Sequence, residues 1–393
     1  KKILVVGLGL QGGGVGLVKF FTEFGAKVTA TDLKTATQLT QSLAKLNKFS
    51  VKYSLGAHKL EDFLEADYIF KGPSVPWNLP EILEAERKHI PVEMEVSFFA
   101  RLCPALIIGI TGTRGKTTTA QIIFDSLKDT AQKVFLAGNV AETSTISLLN
   151  GATKNDLVVL ELSSWQLSGF HRKKISPHIA VFMNFYPDHL NYYRNEEEYF
   201  YDKSAIYAYQ KPDDYLIANS ALEEKLSKKK IVSKISYFSS KDFPAKLANM
   251  RGEHNYENAA AALLVNKILG NSDQNVINKI SESKGVSFRQ EIIKTEGEIT
   301  FVNDSTSTTP TSLIKALETF NDGEIVLILG GDSKNLPFDE LLDKLSRVNS
   351  LVLLKGTFTD EVFKTLKERF NDKIVAEPYD DLNAALNKAY AVA

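Results

Sequence analysis

The chain has 393 residues, 44% of them hydrophobic and 24% charged, and a formal net charge of −1. That length suggests two or three domains, and the balanced charge argues against a nucleic-acid partner or a polybasic membrane contact. One cysteine, Cys103, excludes an intrachain disulfide and fits a reducing, cytoplasmic setting; no apolar run reaches membrane-spanning length, so no membrane insertion is expected.

Lys1–Leu10 is basic and then apolar, but its glycines and the helical pattern after them read as strand and turn rather than as a signal peptide. Ile3–Val6 is a short buried strand, Gly7-Leu8-Gly9-Leu10-Gln11-Gly12 matches G-x-G-x-x-G, and Val15–Phe24 is a helix. Backbone N–H groups at such a turn suit a diphosphate. The second strand, Lys27–Thr31, ends at Asp32, where an acidic residue can hold a ribose. This motif alone does not choose between a dinucleotide and a sugar nucleotide. Weak strands at Asp67–Phe70 and Ile90–Val92 continue a βαβ rhythm. Gly72-Pro73-Ser74-Val75-Pro76 is a turn after a strand end, where ligand loops lie in open α/β sheets.

The middle of the chain holds IIGITGTRGKTTTAQ, Ile107–Gln121. A strand, a glycine-bearing turn and a helix from Thr117 to about Lys128 make a phosphate cradle. The N–H groups of Gly112, Thr113, Arg114, Gly115 and Lys116 face phosphate oxygens, the Lys116 ammonium neutralises the β- and γ-phosphates, and the Thr117 hydroxyl ligates Mg²⁺. Leu136-Ala137-Gly138-Asn139 closes another strand. Glu161 interrupts the apolar strand Asp156–Leu162, a costly placement unless the carboxylate is paired or metal-bound. Ile179–Phe185 is a strand that delivers Asn184, Asp188 and His189 to its C-terminal end, which makes His189 a candidate site residue.

A helix is expected over Glu196–Gln210, with Tyr199, Lys203 and Tyr207 on one face. Lys203 has two readings: an ammonium snorkelling to water, or a neutral amine able to take up CO₂ as a metal-binding carbamate. A helix over Ala259–Leu269 is expected to expose His254, Asn255 and Asn258 at its N-terminus. In the last segment, the strand Ile299–Val302 leads into a hydroxyl-rich loop and the helix Ser312–Phe320. A buried strand, Ile325–Leu329, ends in Gly330-Gly331-Asp332-Ser333-Lys334. Leu351–Leu354 and Lys373–Ala376 are expected strands, and Asp381–Ala391 a helix.

Taken together these residues resemble the Mur ligase family of peptidoglycan synthesis. The resemblance rests on Gly7-x-Gly9-x-x-Gly12, Thr111-Gly112-Thr113-x-Gly115-Lys116-Thr117, Glu161-Leu162-Ser163-Ser164-x-Gln166-Leu167 and Asn184-x-x-x-Asp188-His189-Leu190. It continues through His254-Asn255-x-x-Asn258-Ala259, Arg289-x-Glu291, Asn303-Asp304-Ser305 and Gly330-Gly331-Asp332-x-Lys334. It implies an α/β fold of three domains. Residues 1–95 form a Rossmann-like sugar-nucleotide domain, 96–286 a P-loop-type ATPase domain, and 287–393 a Rossmann-like amino-acid-binding domain that reads as truncated. It implies a monomer acting on small molecules, with ATP as co-substrate and two Mg²⁺ ions. The substrate carboxylate attacks ATP to give an acyl phosphate, which an amino-acid amine then displaces. Within the family the N-terminal glycine pattern resembles that of the members adding D-glutamate, and this resemblance implies UDP-N-acetylmuramoyl-L-alanine as the acceptor.

By motif match, Thr117 and Glu161 hold the nucleotide Mg²⁺, and His189 and a carbamylated Lys203 hold the second ion. Thr118, Asn258, Arg289 and Asp304 join the phosphate loop in binding ATP. Arg289 and Asp304 come from the last domain, so catalysis is expected to need that domain to close. Leu10, Gln11, Gly12, Asp32, Ser74, Asn139, Ser163 and Gln166 match the sugar-nucleotide site, and Thr308 and Lys334 bind the amino-acid carboxylates. The chain departs from the family at Leu33-Lys34, at Asn191 and at Thr306, where lysine is usual, and it lacks the usual C-terminal serine-proline-glycine segment. Competing readings are another amide ligase of the Mur or folylpolyglutamate type, a catalytically silent nucleotide-binding homologue, and an NAD-dependent oxidoreductase. The last leaves the phosphate loop unexplained.

Overall fold

A computed structural model describes the chain apart from residues 11, 129–131, 140–143, 189–191, 272 and 334–335. It has two compact units, Lys1–Leu247 with Glu253–Ser283, and Ala248–Gly252 with Lys284–Ala393. Among the described residues no helix is long and apolar enough to cross a membrane.

In the first unit, β1 (Lys2–Val6), β2 (Lys27–Asp32), β3 (Val51–Leu55), β4 (Tyr68–Lys71) and β5 (Val92–Glu93) form a parallel sheet ordered β3-β2-β1-β4-β5. Alternation along β1 sends Ile3 and Val5 to a layer with Val15, Val18 and Val28, and Leu4 and Val6 to a layer with Phe63, Ile69 and Ile82. Cover on both faces is why such strands read as unbroken apolar runs. Strand order reverses between β1 and β4, so the turn after β1 and the loop after β4 border one crevice. They touch there: a Cβ on Gly7, whose φ is +85°, would lie 3.1 Å from Val75 Cγ2.

The second sheet of this unit is also parallel. Its strands are β6 (Leu106–Thr111), β7 (Val134–Gly138), β8 (Leu157–Glu161), β9 (Ile179–Phe182), β10 (Tyr215–Asn219) and β11 (Lys234–Phe238), ordered β11-β10-β9-β6-β8-β7. Val158, Leu160, Ala180 and Phe182 pack with Phe170 and Leu216, while Ile108, Ile110, Val159 and Val181 are equally buried. β6 and β8 are both central strands, so the phosphate loop and Glu161 leave neighbouring strands at the same end of the sheet.

Glu95, at the start of the helix Glu95–Leu102, ties the two sheets together. Its Oε1 accepts a hydrogen bond from Ile146 N at 3.0 Å, and its Oε2 lies 2.9 Å from where a Cβ on Gly13 would sit. Burial pushes its carboxyl from the usual 4.5 up to about 7. The folded form therefore binds the extra proton between those values, and stability falls as pH rises through that window. Glu95→Gln keeps the acceptor for Ile146. It is expected to match the wild type near pH 4 and to exceed it by up to about 3 kcal/mol near pH 8, read by denaturant unfolding at both pH values.

In the second unit, β12 (Glu291–Glu296) and β13 (Ile299–Asn303) pair antiparallel, and β14 (Val326–Leu329) and β15 (Ser350–Leu353) pair parallel. Leu317, Leu345, Val348, Leu351, Leu353 and Leu366 form its core. The helix Pro310–Leu317 starts on a capping box between Thr309 and Ser312, with proline where no N–H is needed.

Some expectations change; the strand expected over Ile179–Phe185 ends at Phe182. The helix expected over Glu196–Gln210 stops at Ser204, because Ile206 N and Tyr207 N turn back to Lys203 O and Ser204 O in i→i−3 bonds. Tyr207 is buried outside the helix. Lys373–Ala376 supplies only an isolated bridge, Leu351 to Ile374. β14 is half-buried rather than buried. The helix expected from Ala259 starts at Glu253, and Asn255 and Asn258 are 8% and 3% exposed, not surface groups.

Candidate active site

The phosphate loop runs from Thr111 at the end of β6 to the helix Lys116–Leu127. Gly115 starts that helix at φ +79°, a conformation that glycine adopts without strain. A Cβ at this position would also lie 2.7 Å from Asn258 Oδ1. Asn184, beyond β9, clamps the loop apex: its backbone O accepts from Thr113 N at 3.1 Å and its Oδ1 from Arg114 N at 2.8 Å. Its Nδ2 donates to Arg114 O at 3.2 Å. Lys116 Nζ donates to the carbonyls of Gly112 and Thr113, both at 3.0 Å.

Lys203, 1% exposed, donates to the same Gly112 carbonyl at 2.8 Å and lies 4.7 Å from the centroid of the Tyr199 ring. Burial, and after it the nearby Lys116 charge, push its amine well below the usual lysine value. The snorkelling reading therefore fails, because the side chain ends inside the protein rather than in water. A neutral amine beside the phosphate loop has the lone pair that carbamate formation requires.

Glu161 is 1% exposed. Its Oε1 accepts from Asn139 Nδ2 at 2.9 Å, while the buried Oε2 has no hydrogen-bond partner. An orphaned carboxylate oxygen close to a phosphate loop is the donor that a hard divalent cation seeks, so this chain fits Mg²⁺. Among the described residues no three His, Cys, Asp or Glu side chains gather as a metal cluster. The implied set instead mixes the Glu161 carboxylate with the Thr117 hydroxyl, Lys203 and His189. His189 lies outside the described residues, as do Gln11 and Lys334.

Several implied ligand residues already have structural work. Asp32 braces the glycine turn, accepting from Gly9 N at 3.0 Å and from Lys34 N at 2.9 Å. Gly12 adopts φ +100° before the helix Gly13–Glu23, and Leu10 and Ser74 are exposed beside the crevice. Ser163 and Gln166 form the capping box of the helix Ser164–Lys173. The Gln166 Oε1 is occupied there, accepting from Ser163 N and Oγ. Asn258 Oδ1 accepts from Thr119 Oγ1 at 3.0 Å and its Nδ2 donates to Asn255 Oδ1 at 3.0 Å, so it braces the loop from below. Thr118 is buried in the same helix.

In the second unit Arg289 is exposed between Phe288 and Gln290, whose φ values are +64° and +45°. Asp304 Oδ1 accepts from Gln290 N at 3.0 Å, and Thr306 Oγ1 donates to Phe288 O at 2.8 Å. Thr306, where the family often has lysine, is thus used to hold the Arg289 turn. Asp304 Oδ2 is buried without a partner, and Thr308 is exposed. Asn184 is the residue whose role the sequence hid. It was legible as part of a motif, but not as the clamp of a loop some seventy residues away.

Three family models match the chain: the MurD-like N-terminal domain over residues 1–93, the Mur ligase middle domain over 110–249, and the Mur ligase glutamate ligase domain over 288–393. The UDP-N-acetylmuramoylalanine–D-glutamate ligase of Roseiflexus sp. (strain RS-1) is 33% identical, the match covering 100% of this chain and 91% of the relative. The protein belongs to the Mur ligase family. The same-named enzyme of Borreliella afzelii (strain PKo) is 32% identical to this Mur ligase, over 99% of the chain and 89% of the relative. Among solved structures, the UDP-N-acetylmuramate-alanine ligase MurC of Thermotoga maritima superposes with a TM-score of 0.57 at 22% identity, covering 93% of this chain and 88% of that one. MurF of the same organism gives 0.57 at 18%, with the same coverage, and both likenesses speak for the fold alone. The α/β fold expected of a Mur ligase is present.

Proposed function

We propose that this Mur ligase joins D-glutamate to UDP-N-acetylmuramoyl-L-alanine in an ATP-dependent, ADP-forming reaction of peptidoglycan precursor synthesis. The observation that carries the chemistry is the unpartnered Glu161 Oε2 buried close to a lysine-crossed phosphate loop. The MurD-like N-terminal domain and the names of the full-length relatives support the substrate pair.

ATP sits with its phosphates on the N–H groups of Gly112, Gly115 and Lys116, not on all five of the loop as the sequence suggests, because Asn184 holds those of Thr113 and Arg114. The substrate carboxylate attacks the γ-phosphorus and the β–γ bridging bond breaks, giving an acyl phosphate and ADP. The amine of D-glutamate then adds to the acyl carbon, phosphate leaves, and the amine loses its proton. Lys116 opposes the charge spreading over the transferring phosphoryl group. Mg²⁺, when bound, supplies Lewis-acid neutralisation of those oxygens, and Glu161 and Thr117 are the residues that would hold it. We assign His189 and a carbamylated Lys203 to a second ion, Asn139 to orienting Glu161 and substrate, and Asn258, Arg289 and Asp304 to nucleotide binding. We assign Leu10, Gln11, Gly12, Asp32, Ser74, Ser163 and Gln166 to sugar-nucleotide binding and Thr308 and Lys334 to D-glutamate binding. Domain limits near residues 95 and 286 fit this division of labour.

The test is phosphate release from ATP and Mg²⁺ with UDP-N-acetylmuramoyl-L-alanine, with and without D-glutamate, on the wild type and on Lys116→Ala. Release should need both substrates and fall by about 10²–10³-fold in the variant. Release that ignores the sugar nucleotide, or that proceeds equally with another amino acid, would overturn the assignment.

A further inference from the structure

Lys71 is 1% exposed, and the mechanism above makes no use of it. It is the last residue of β4, directly before the Gly72–Pro76 loop that borders the crevice at the strand-order reversal. Its Nζ donates to Gly72 O at 3.2 Å and Val75 O at 2.7 Å, drawing both ends of that loop onto one amine. The amine also lies 4.3 Å from the centroid of the Trp77 ring.

Trp77 carries the connection into the second sheet. Its Nε1 donates to Ser168 Oγ at 2.8 Å, and the Arg172 guanidinium carbon lies 4.1 Å from its ring centroid. Arg172 in turn pairs with Glu86 of the N-terminal domain. Ser168 and Arg172 belong to the helix Ser164–Lys173, whose capping box is the Ser163–Gln166 pair at the end of β8. The loop of one sheet is thus fastened, through one lysine and one tryptophan, to the helix that leaves Glu161's strand. A buried ammonium is an expensive way to close a loop, since burial pushes it down to about 7. A methyl-ended side chain would fill the same space without that cost, but it would take the donor from Val75 O and leave Gly72 O only the Val75 N–H at 3.1 Å.

We propose that Lys71 is a positioning residue for the sugar-nucleotide substrate: with Trp77 it fixes the Gly72–Pro76 loop at the crevice and sets that loop's distance from the phosphate-loop sheet. The inference rests on the ligase reading for the identity of the ligand, but not for the lock itself. Lys71 is too deep to touch substrate, and it acts through the loop it holds.

The experiment uses the whole chain as wild type, Lys71→Met and Lys71→Arg. Phosphate release gives KM for UDP-N-acetylmuramoyl-L-alanine and for ATP separately, and hydrogen exchange over residues 72–77 needs no substrate. Lys71→Met should raise the sugar-nucleotide KM about tenfold while KM for ATP and kcat stay within about twofold, and should speed exchange over 72–77. Lys71→Arg keeps donors and should recover part of the affinity. An unchanged sugar-nucleotide KM with unchanged exchange would overturn the proposal. So would a fall in kcat with both KM values unchanged, which is what a merely destabilised protein gives, or a rise shared equally by both KM values. If Lys71→Met does not fold, Trp77→Phe takes its place, removing the donation to Ser168 while keeping a ring. A several-fold rise in the same KM then supports the lock, and no rise overturns it. If the wild type releases no phosphate with this substrate, the ligase reading fails, and exchange over 72–77 alone decides the lock.

Discussion

Glu161→Gln is expected to leave the fold intact and to lower kcat by about 10²–10³-fold. The carboxylate sits at the end of a central strand with one oxygen bonded to Asn139 and the other to nothing. In the metal-free protein that arrangement is unfavourable, because a buried charge lacks full compensation. The amide has the same shape and no charge, so the variant's melting temperature without Mg²⁺ should equal or exceed the wild type's. What is lost is the unpartnered anionic oxygen proposed to hold the cation at the phosphates. Melting curves with and without Mg²⁺ read both effects: the wild type should gain stability from the ion with nucleotide present, and the variant should gain less. A variant that keeps full activity would remove Glu161 from the metal site.

Lys203→Met should have an effect of similar size, a fall in kcat of about 10³-fold, again without unfolding. The amine is buried, repelled by Lys116, and shares the Gly112 carbonyl with it. Methionine removes the repulsion and fills most of the volume, and Gly112 O keeps Lys116 as a donor, so stability should hold or rise. Activity should fall because the amine proposed to take up CO₂ is gone. For the wild type, activity in carefully degassed buffer should recover when bicarbonate is restored, while Lys203→Met stays inactive in both. Indifference of the wild type to dissolved CO₂ would exclude the carbamate and leave Lys203 as a loop donor.

Much of this was legible in the sequence because the informative residues lie where local rules are strict. Gly7–Gly12 and Gly112–Lys116 occupy turns between a buried strand and a helix start, and only a few residue types fit there. Glu161 stood out because a carboxylate inside an apolar strand needs a reason, and its unpartnered oxygen supplies one. What stayed hidden depends on distant contacts. Nothing local says that Asn258 turns inward to Thr119, or that Asn184 closes the loop apex. Nor does local pattern tell that the helix after Asn195 ends at Ser204, since Tyr207 keeps the helical spacing and is buried anyway. Lys71 escaped notice for the same reason: a lysine at a strand end usually points to water, and this one folds back onto its own loop.

The helix Glu253–Ile268 packs along the helix Lys116–Leu127 and is bonded to it at both ends, Asn258 to Thr119 at 3.0 Å and Asn266 to Ser126 at 2.8 Å. The first unit is therefore written in two stretches of the gene, with five codons for the other unit between them. A ribosome that has made residues 1–247 has produced every strand of both parallel sheets, yet the phosphate loop still lacks the side chain that supports Gly115 from below. The nascent chain becomes competent to hold nucleotide only after the later helix emerges. A fragment ending at Leu247 should consequently fold in part and bind ATP poorly, and adding the missing helix as a separate peptide should restore some of that binding.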